Sequence, residues 1–247
     1  MIIDVAAYVG TWPFRDLPGD PETVAAVLTA AGVTTAYASP VEAALHAAPH
    51  VANRRLADQL AGHDLLRFVP VVNPILPDGL AQVESWADAA AIRLHPGPHG
   101  YELPAATEVV RRAGELSLPV LVHVRFWDQR MSHRNFVSPE TGADSVVELA
   151  KACPQTSVIA VGARNPEIIT LATAGCDNLR ADVSMAESIN VLRMLIEACG
   201  ADRLMCGTQA PLLVPGALAA KLDGVDLTEQ ERVALTYENA VAAGLPA

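Results

Sequence analysis

The sequence predicts an α/β fold, a single (β/α)8 barrel of the TIM type. A short β-branched run, a turn and an Ala/Leu-rich helical stretch repeat along the whole chain, and such alternation predicts a parallel sheet. Eight of these units fit in 247 residues, which is a usual length for a barrel. The alternative, an open doubly wound sheet, usually has a Gly-rich phosphate loop after its first strand, and this sequence has none.

The strands are predicted from short apolar runs rich in Val, Ile and Ala that end at turn residues. Continuous apolar runs of this kind are typical of parallel strands that are buried on both faces. In order, the predicted strands are Ile2–Tyr8, Val33–Ala38, Phe68–Val72, Ala91–His95, Val120–Val124, Ser157–Val161, Leu179–Val183 and Arg203–Cys206.

The helices are predicted from capping residues and from the Ala/Leu-rich stretches between the strands. Asp20 and Asn165 each precede a proline, which places a cap before the first helical turn. Thr228 and Glu231 have the spacing of a capping box. The predicted helices are Pro21–Ala31, Val51–Gly62, Gly79–Ala87, Pro104–Leu116, Ala143–Ala152, Pro166–Thr173, Ser188–Ala198, Pro215–Leu222 and Glu229–Tyr237.

Composition excludes several classes of function. The chain has 17 Lys+Arg against 28 Asp+Glu, a net charge of −11, and nucleic-acid binding needs clustered basic residues. No apolar run reaches the roughly 18 residues of a membrane span, and the first residues lack the pattern of a signal peptide. The four cysteines form no C-x-x-C pair and are expected as thiols. We therefore expect a cytoplasmic protein of one domain, residues 1–247, and the sequence leaves a homo-oligomer open.

Polar residues are predicted to line the mouth of the barrel, the end at which the strands have their carboxyl termini. Alternation along each strand gives these residues one inward face, and polar residues there favour a site over a core. The long polar segment after the fifth strand predicts a substrate wall with Asp128 and Arg130, or else a solvated surface loop. The inward polar residues are Asp4 and Tyr8, Arg93 and His95, His123 and Arg125, and Asp182 and Ser184.

Six segments resemble the amidohydrolase superfamily, in its amidohydrolase-related branch, and they occur in the order of that family. The resemblance covers the whole chain and implies a (β/α)8 barrel with a site at the mouth. The segments are MIIDVAAYVGTWPFR at the start, IRLHPG at 92–97, PVLVHVR at 119–125, NLRADVSM at 178–185, DRLMCGTQAPL at 202–212 and LTEQERVALTYENAVAAGL at 227–245.

The resemblance also implies one or two divalent metals, and here the sequence departs from the family. The implied ligands are a His-x-His on strand one, a His on strand five, a His on strand six and an Asp after strand eight. Ala and Val offer no donor atom, so we expect no metal and no other cofactor. The five positions hold Ala6, Tyr8, His123, Val161 and Gln209.

A rebuilt metal site at His95, His99, His123 and His133 is the alternative to a metal-free mouth. It is disfavoured because the prolines of the Pro96-Gly97-Pro98 segment are expected to prevent a helix that would pair His95 with His99.

The predicted function is a metal-independent hydrolase or lyase that acts on a small, lactone-like carboxylated substrate. His123 and His95 are the predicted acid/base residues, since imidazole titrates near neutral pH. Arg93 and Arg125 are predicted to hold the anion, or alternatively to form structural ion pairs with Asp4, Asp128 or Asp182. The further residues predicted to bind substrate are Tyr8, Asp128, Arg130, Asp182 and Gln209.

A barrel without catalysis that binds a metabolite or a protein partner is the alternative function. If the chain is an enzyme, we expect His123 to lie beside another titratable group or an arginine, around an open cavity. If the barrel has lost its reaction, we expect apolar side chains to fill the pocket, with Tyr8 and Val161 packed over His123.

Overall fold

The computed structural model describes residues 1–128, 133–136 and 138–246, and it confirms the predicted barrel. Its strands pair in parallel as two sheets, in the order β1-β2-β3 and β4-β5-β6-β7-β8-β9. Within the described residues the strands are β1 Ile3–Val9, β2 Thr35–Pro40, β3 Leu66–Phe68, β4 Val71–Val72, β5 Ile92–Leu94, β6 Val120–His123, β7 Val158–Val161, β8 Leu179–Asp182 and β9 Leu204–Met205.

Backbone hydrogen bonds outside the ladders close the two sheets into one barrel. Between the first and last strands, Val5 N donates to Cys206 O at 3.0 Å and Tyr8 N donates to Ala210 O at 2.7 Å. Closure of this kind removes the exposed sheet edges and brings the start of the chain beside residues 206–210.

The predicted third strand, Phe68–Val72, is divided into β3 and β4 by Pro70, which has no backbone N–H to donate to a ladder. The barrel continues across this break. Val69 N donates to Ala38 O at 2.9 Å, and Arg93 N donates to Pro70 O at 2.8 Å. The eight strand positions of the barrel are therefore kept.

The helices agree with the prediction to within a few residues at most ends, and 3-10 turns at Val41–Leu45 and Leu103–Ala106 add to them. The last predicted helix continues as a π-helix, Ala234–Glu238. Among the residues that the structure describes, the helices are α1 Pro21–Ala30, α2 His50–Gln59, α3 Gly79–Ser85, α4 Pro96–His99, α5 Thr107–Glu115, α6 Ala143–Ala152, α7 Asn165–Ala172, α8 Val191–Cys199, α9 Gly216–Asp223, α10 Glu229–Val233 and α11 Asn239–Ala242.

The short helix α4 corrects the expectation that Pro96-Gly97-Pro98 forbids helical structure. Proline is tolerated in the first turn because the N–H that it lacks has no helical partner there. The single turn closes when His99 N donates to His95 O at 3.0 Å, and it ends at Gly100 with a φ of +70°. The two histidine rings lie 6.0 Å apart between centroids.

Alternation along the strands separates two buried layers. In β6, Leu121 packs inside the barrel with Ile159 and Met205, while Val120 and Val122 pack outward against the helices. Residues near the chain's end also pack among the interior residues, including Leu245. No helix in the described part of the chain is long and apolar enough to cross a membrane.

Candidate functional site

Three predicted residues meet at the mouth of the barrel: Tyr8 on β1, His95 after β5 and His123 at the end of β6. Tyr8 Oη lies 2.5 Å from Nε2 of His123. The His95 ring lies 4.7 Å from the His123 ring and 6.0 Å from the Tyr8 ring, measured between centroids. The strand ends thus bring together groups that are 115 residues apart in the chain.

The second nitrogen of His123 indicates the direction of the bond with Tyr8. Nδ1 of His123 lies 3.4 Å from the backbone oxygen of Arg125. A carbonyl oxygen only accepts, so this contact favours the tautomer that carries its proton on Nδ1. Nε2 is then the acceptor, and Tyr8 donates its phenolic proton to it.

Burial keeps both histidines neutral. His95 is fully buried and His123 is 1% exposed. Burial lowers the pKa of each well below its ordinary value, and the charge of Arg93 acts in the same direction on both. Burial also raises the pKa of Tyr8. Both ring nitrogens of His95 lack a hydrogen-bond partner among the described residues.

Aromatic rings cover these three residues. Phe126 lies 5.5 Å from Tyr8 and 5.1 Å from His95 between ring centroids. Trp12 packs on Phe126 at 5.6 Å. We call Trp12, Phe126, Trp127 and Phe136 the aromatic cover; three of the four are buried, and the fourth packs against them. The mouth above His123 is therefore filled largely by apolar side chains.

Arg93 lies inside the barrel beneath this cover. Its guanidinium donates to the backbone oxygens of Ala7, Val5 and Tyr37, each at 3.0 Å. Its Cζ lies 4.8 Å from the centroid of the Tyr8 ring, which is the distance of a cation–π contact. These contacts hold Arg93 to the protein's own backbone and ring, in place of the predicted bond to a substrate anion.

Arg125 has both its predicted position and unexpected partners. Its guanidinium donates to both carboxylate oxygens of Glu140 at 2.6 Å and to both of Glu167 at 3.0 and 3.1 Å. Its remaining donor reaches Gly162 O at 3.2 Å. All five N–H groups of the guanidinium are thereby used, so Arg125 binds two carboxylates of the protein where a substrate anion was predicted.

Asp182 is the last residue of β8, and Gln209 lies in the loop that follows β9. Asp182 Oδ1 accepts from Gly162 N at 2.8 Å, and Gln209 Nε2 donates to Ser184 Oγ at 3.0 Å. Burial raises the pKa of Asp182 to about 6, against the opposing hydrogen bonds from Ser184 and Gly162. Asp182 Oδ2 and Gln209 Oε1 have no hydrogen-bond partner among the described residues.

Asp4 orders the loop that carries Gln209. Its Oδ1 accepts from Thr208 N at 3.0 Å, and its Oδ2 accepts from Thr208 Oγ1 at 2.5 Å. Gln209 itself has a φ of +52°, in the left-handed region that long side chains seldom adopt. The carboxylate oxygens of Asp4 thus accept from Thr208, beside Gln209. The alternative prediction, an ion pair between Asp4 and an arginine, does not describe these hydrogen bonds.

The loop after β6 is described only in part. Asp128 is 7% exposed and lies close enough for its charge to raise the pKa of Glu140. Arg130, also predicted to bind substrate, lies outside the described residues. Glu140 and Glu167 could not be predicted from the sequence, because their role depends on their closeness to Arg125 in space.

The donor set does not fit the divalent metal that the resemblance implies. Within the residues described, no group of three His, Cys, Asp or Glu side chains is placed to hold a metal ion. Nε2 of His123 is taken by Tyr8, and Ala6 and Val161 supply no ligand atom. His95 and His123 alone leave a divalent ion short of the three or four protein ligands that it needs.

Comparison with known proteins agrees with this architecture. Residues 10–243 match a family model described as Amidohydrolase. No curated protein matches the chain.

Solved structures that resemble the chain include 2,6-dihydroxybenzoate decarboxylase from Rhizobium, with 16% identity, 98% of each chain covered and a TM-score of 0.73. The 5-carboxyvanillate decarboxylase of Sphingomonas paucimobilis has 14% identity, 98% of each chain and a TM-score of 0.73. A dihydroxybenzoic acid decarboxylase from Polaromonas sp. JS666, with bound manganese and 2-nitroresorcinol, has 14% identity over 98% of this chain and 96% of its own, with a TM-score of 0.75. At such identities the likeness establishes a shared fold.

Proposed function

We propose, from the premise that the chain belongs to the amidohydrolase family, that it is a metal-independent lyase or hydrolase. Its substrate is a small carboxylated molecule bound at the mouth of the barrel. Tyr8 and His123 transfer the proton, and His95 hydrogen-bonds the substrate. The observation that carries this proposal is the 2.5 Å contact between Tyr8 Oη and His123 Nε2.

The contact supports proton transfer because it joins two titratable groups in a site sheltered from water. When the phenol gives its proton to the substrate carbon, negative charge develops on the Tyr8 oxygen. In hydrolysis the phenol instead passes its proton to Nε2 of His123 as it takes one from water. Arg93, whose Cζ is 4.8 Å from the Tyr8 ring centroid, stabilises that charge without touching the substrate. His95, whose ring nitrogens have no partner among the described residues, offers both a donor and an acceptor to a molecule that displaces the aromatic cover.

Decarboxylation is the first reaction to test, because the structural neighbours are decarboxylases of carboxylated aromatic compounds. In this reaction the bond between the ring carbon and the carboxylate breaks, and its electron pair stays on the carbon. That carbon takes a proton from Tyr8 while carbon dioxide leaves, and solvent later restores the phenol. In lactone hydrolysis the same pair removes a proton from the attacking water.

The test is turnover in protein that has been treated with chelator and then freed of it by dialysis. A panel of hydroxybenzoates, assayed by carbon dioxide release, and a panel of lactones, assayed by acid release, separate the two reactions. We expect turnover without added metal and a loss of at least about 100-fold in Tyr8→Phe and His123→Asn. His46→Asn is the matched control, since His46 is exposed. Turnover only with added manganese, or unchanged turnover in His123→Asn, contradicts the proposal.

A second candidate is a barrel that binds a metabolite without converting it. The aromatic cover favours this candidate, because Phe126 packs against Tyr8, His95 and His123 and leaves His123 only 1% exposed. It predicts that members of the same panels raise the melting temperature while no product forms from any of them.

A further inference from the structure

A small pocket of about 220 Å³ opens at the carboxyl ends of β8 and β9, the same end of the barrel as His123. Its walls come from the loops after these strands and from helix α9. The apolar part of the wall includes Leu213, Val214 and Leu218, and the polar part includes Ser184, Glu187 and Lys221. None of these residues takes part in the Tyr8–His123 contact.

Lys221 supplies the pocket with a positioned cation. Its Nζ donates to Val183 O at 2.8 Å and to Ser184 O at 2.9 Å. An ammonium group has three N–H donors, so within the described part of the chain these two bonds fix its position and leave one donor for a further acceptor. Burial lowers the pKa of Lys221, while the charges of Asp182 and Glu187 oppose that effect and favour the protonated form.

We propose that this pocket binds the carboxylate of a small monocarboxylic acid with an apolar body, and that Lys221 donates to that carboxylate. One spare ammonium donor suits a single carboxylate, whereas a phosphate ester or a dicarboxylate requires several more donors. The body of the ligand then lies on Leu213, Val214 and Leu218. This assignment rests on the proposed function for its role in turnover, but binding itself is measurable without turnover.

A series of contacts through Gln209 runs from the pocket to the pair of Tyr8 and His123. Gln209 donates to Ser184 Oγ, which belongs to the pocket wall, at 3.0 Å. The same amide packs on Gly162, where an added Cβ would meet Gln209 Nε2 at 2.7 Å and Arg125 O at 2.3 Å. Arg125 O in turn lies 3.4 Å from His123 Nδ1. A ligand held by Lys221 is therefore separated from His123 by the Gln209 side chain and one loop.

Lys221 differs from Arg93 and Arg125 in the donors that it has left. Both arginines are bonded to acceptors within the protein, whereas Lys221 keeps a donor for a ligand in the pocket. Glu187 lines the pocket as well, and its charge acts on Lys221. A carboxylate ligand must compete with Glu187, which predicts opposite effects for substitutions of these two residues.

The test is calorimetric titration with benzoate as the probe, since benzoate has one carboxylate and an apolar ring. We expect Lys221→Met to weaken benzoate binding by at least about tenfold, the value of one charge-assisted hydrogen bond. Glu187→Gln is expected to strengthen it by about threefold or more because the competing negative charge is removed. Lys151→Met, on the exposed surface of α6, is the matched control and keeps the wild-type affinity.

Two further measurements keep the outcome unambiguous. If Lys221→Met does not fold by circular dichroism, Glu187→Gln alone decides, because unchanged affinity in that variant contradicts the proposal. Absence of benzoate binding in the wild-type protein, or equal binding in Lys221→Met, also overturns it. If benzoate binding depends on Lys221 while no substrate turns over, the pocket stands and the enzymatic proposal fails. If turnover depends on His123 but benzoate binding does not depend on Lys221, the enzymatic proposal stands and the pocket proposal fails.

Discussion

The phenol oxygen of Tyr8 lies 2.5 Å from Nε2 of His123, at the place where strands β1 and β6 end beneath an aromatic cover. Tyr8 occupies a position where the family resemblance implies a metal-binding histidine. The tyrosine donates to His123, so the hydrogen bond satisfies the Nε2 nitrogen of this imidazole.

Removing the Tyr8 hydroxyl is expected to destabilise the protein. Tyr8→Phe keeps the ring but leaves Nε2 of His123 buried without a partner, and an unpaired buried polar atom costs about 1–3 kcal/mol. The free energy of unfolding from urea titration measures this loss. His95→Asn is a useful contrast, because both ring nitrogens of His95 already lack partners among the described residues. This variant should therefore lose less free energy of unfolding than Tyr8→Phe. Equal stability of Tyr8→Phe and wild type would mean that the contact contributes nothing.

Replacing Arg93 should cost more than replacing any exposed arginine. Arg93→Met leaves the backbone oxygens of Val5, Ala7 and Tyr37 without these donors inside the barrel. With about 1 kcal/mol or more for each lost partner, we expect the free energy of unfolding to fall by at least about 3 kcal/mol. Arg111→Met, at an exposed position of α5, is the control. A change below about 1 kcal/mol in Arg93→Met would contradict the structural role given to Arg93.

Arg125 should make the protein sensitive to acid through Glu140. The hydrogen bond from Arg125 lowers the pKa of Glu140. A carboxylate with a lowered pKa adds stability above its unfolded pKa and loses it as the pH falls through the folded value. Arg125→Met removes this contribution, so its stability should fall less than that of wild type as the pH is lowered below about 5. An equal decrease in the free energy of unfolding for the two proteins, measured by urea titration at neutral and at acidic pH, would contradict this.

Asp182 should give the stability a pH dependence opposite to that from Glu140. Burial raises its pKa from 3.8 to about 6, so the folded protein holds this proton more tightly than the unfolded chain does. Stability from the protonated group is full below pH 3.8 and is lost as the pH rises through about 6. Asp182→Asn stays neutral, so it should gain about 2 kcal/mol relative to wild type between pH 4 and pH 8. Urea titration at the two pH values measures the gain, with the exposed Asp58→Asn as control.

Most of the barrel could be predicted because its signals are local. Apolar runs such as Val120–Val124 and capping residues such as Thr228 act within a few residues of themselves. The same alternation placed Tyr8, His95 and His123 at one end of the fold. The division of the third strand at Pro70 was also within reach, since proline cannot donate to a ladder.

The partners of the charged residues could not be predicted in the same way. Arg125 is bound by Glu140 and Glu167, which are 15 and 42 residues further along the chain. Lys221 reaches the mouth from α9 and contacts the backbone after β8 across 38 residues. Nothing in the local pattern distinguishes these side chains from the other charged residues of the surface.

The sequence by itself determined the barrel, the end of it at which Tyr8, His95 and His123 lie, and the absence of ligand atoms in the side chains of Ala6 and Val161. Periodicity and residue type suffice for these, because each depends on short-range geometry or on the atoms that a side chain has. Only the tertiary structure decided that Tyr8 donates to His123, that both mouth arginines serve the protein itself, and that Lys221 faces a pocket. These are matters of distance between remote residues, and a hydrogen bond exists only within about 3.5 Å.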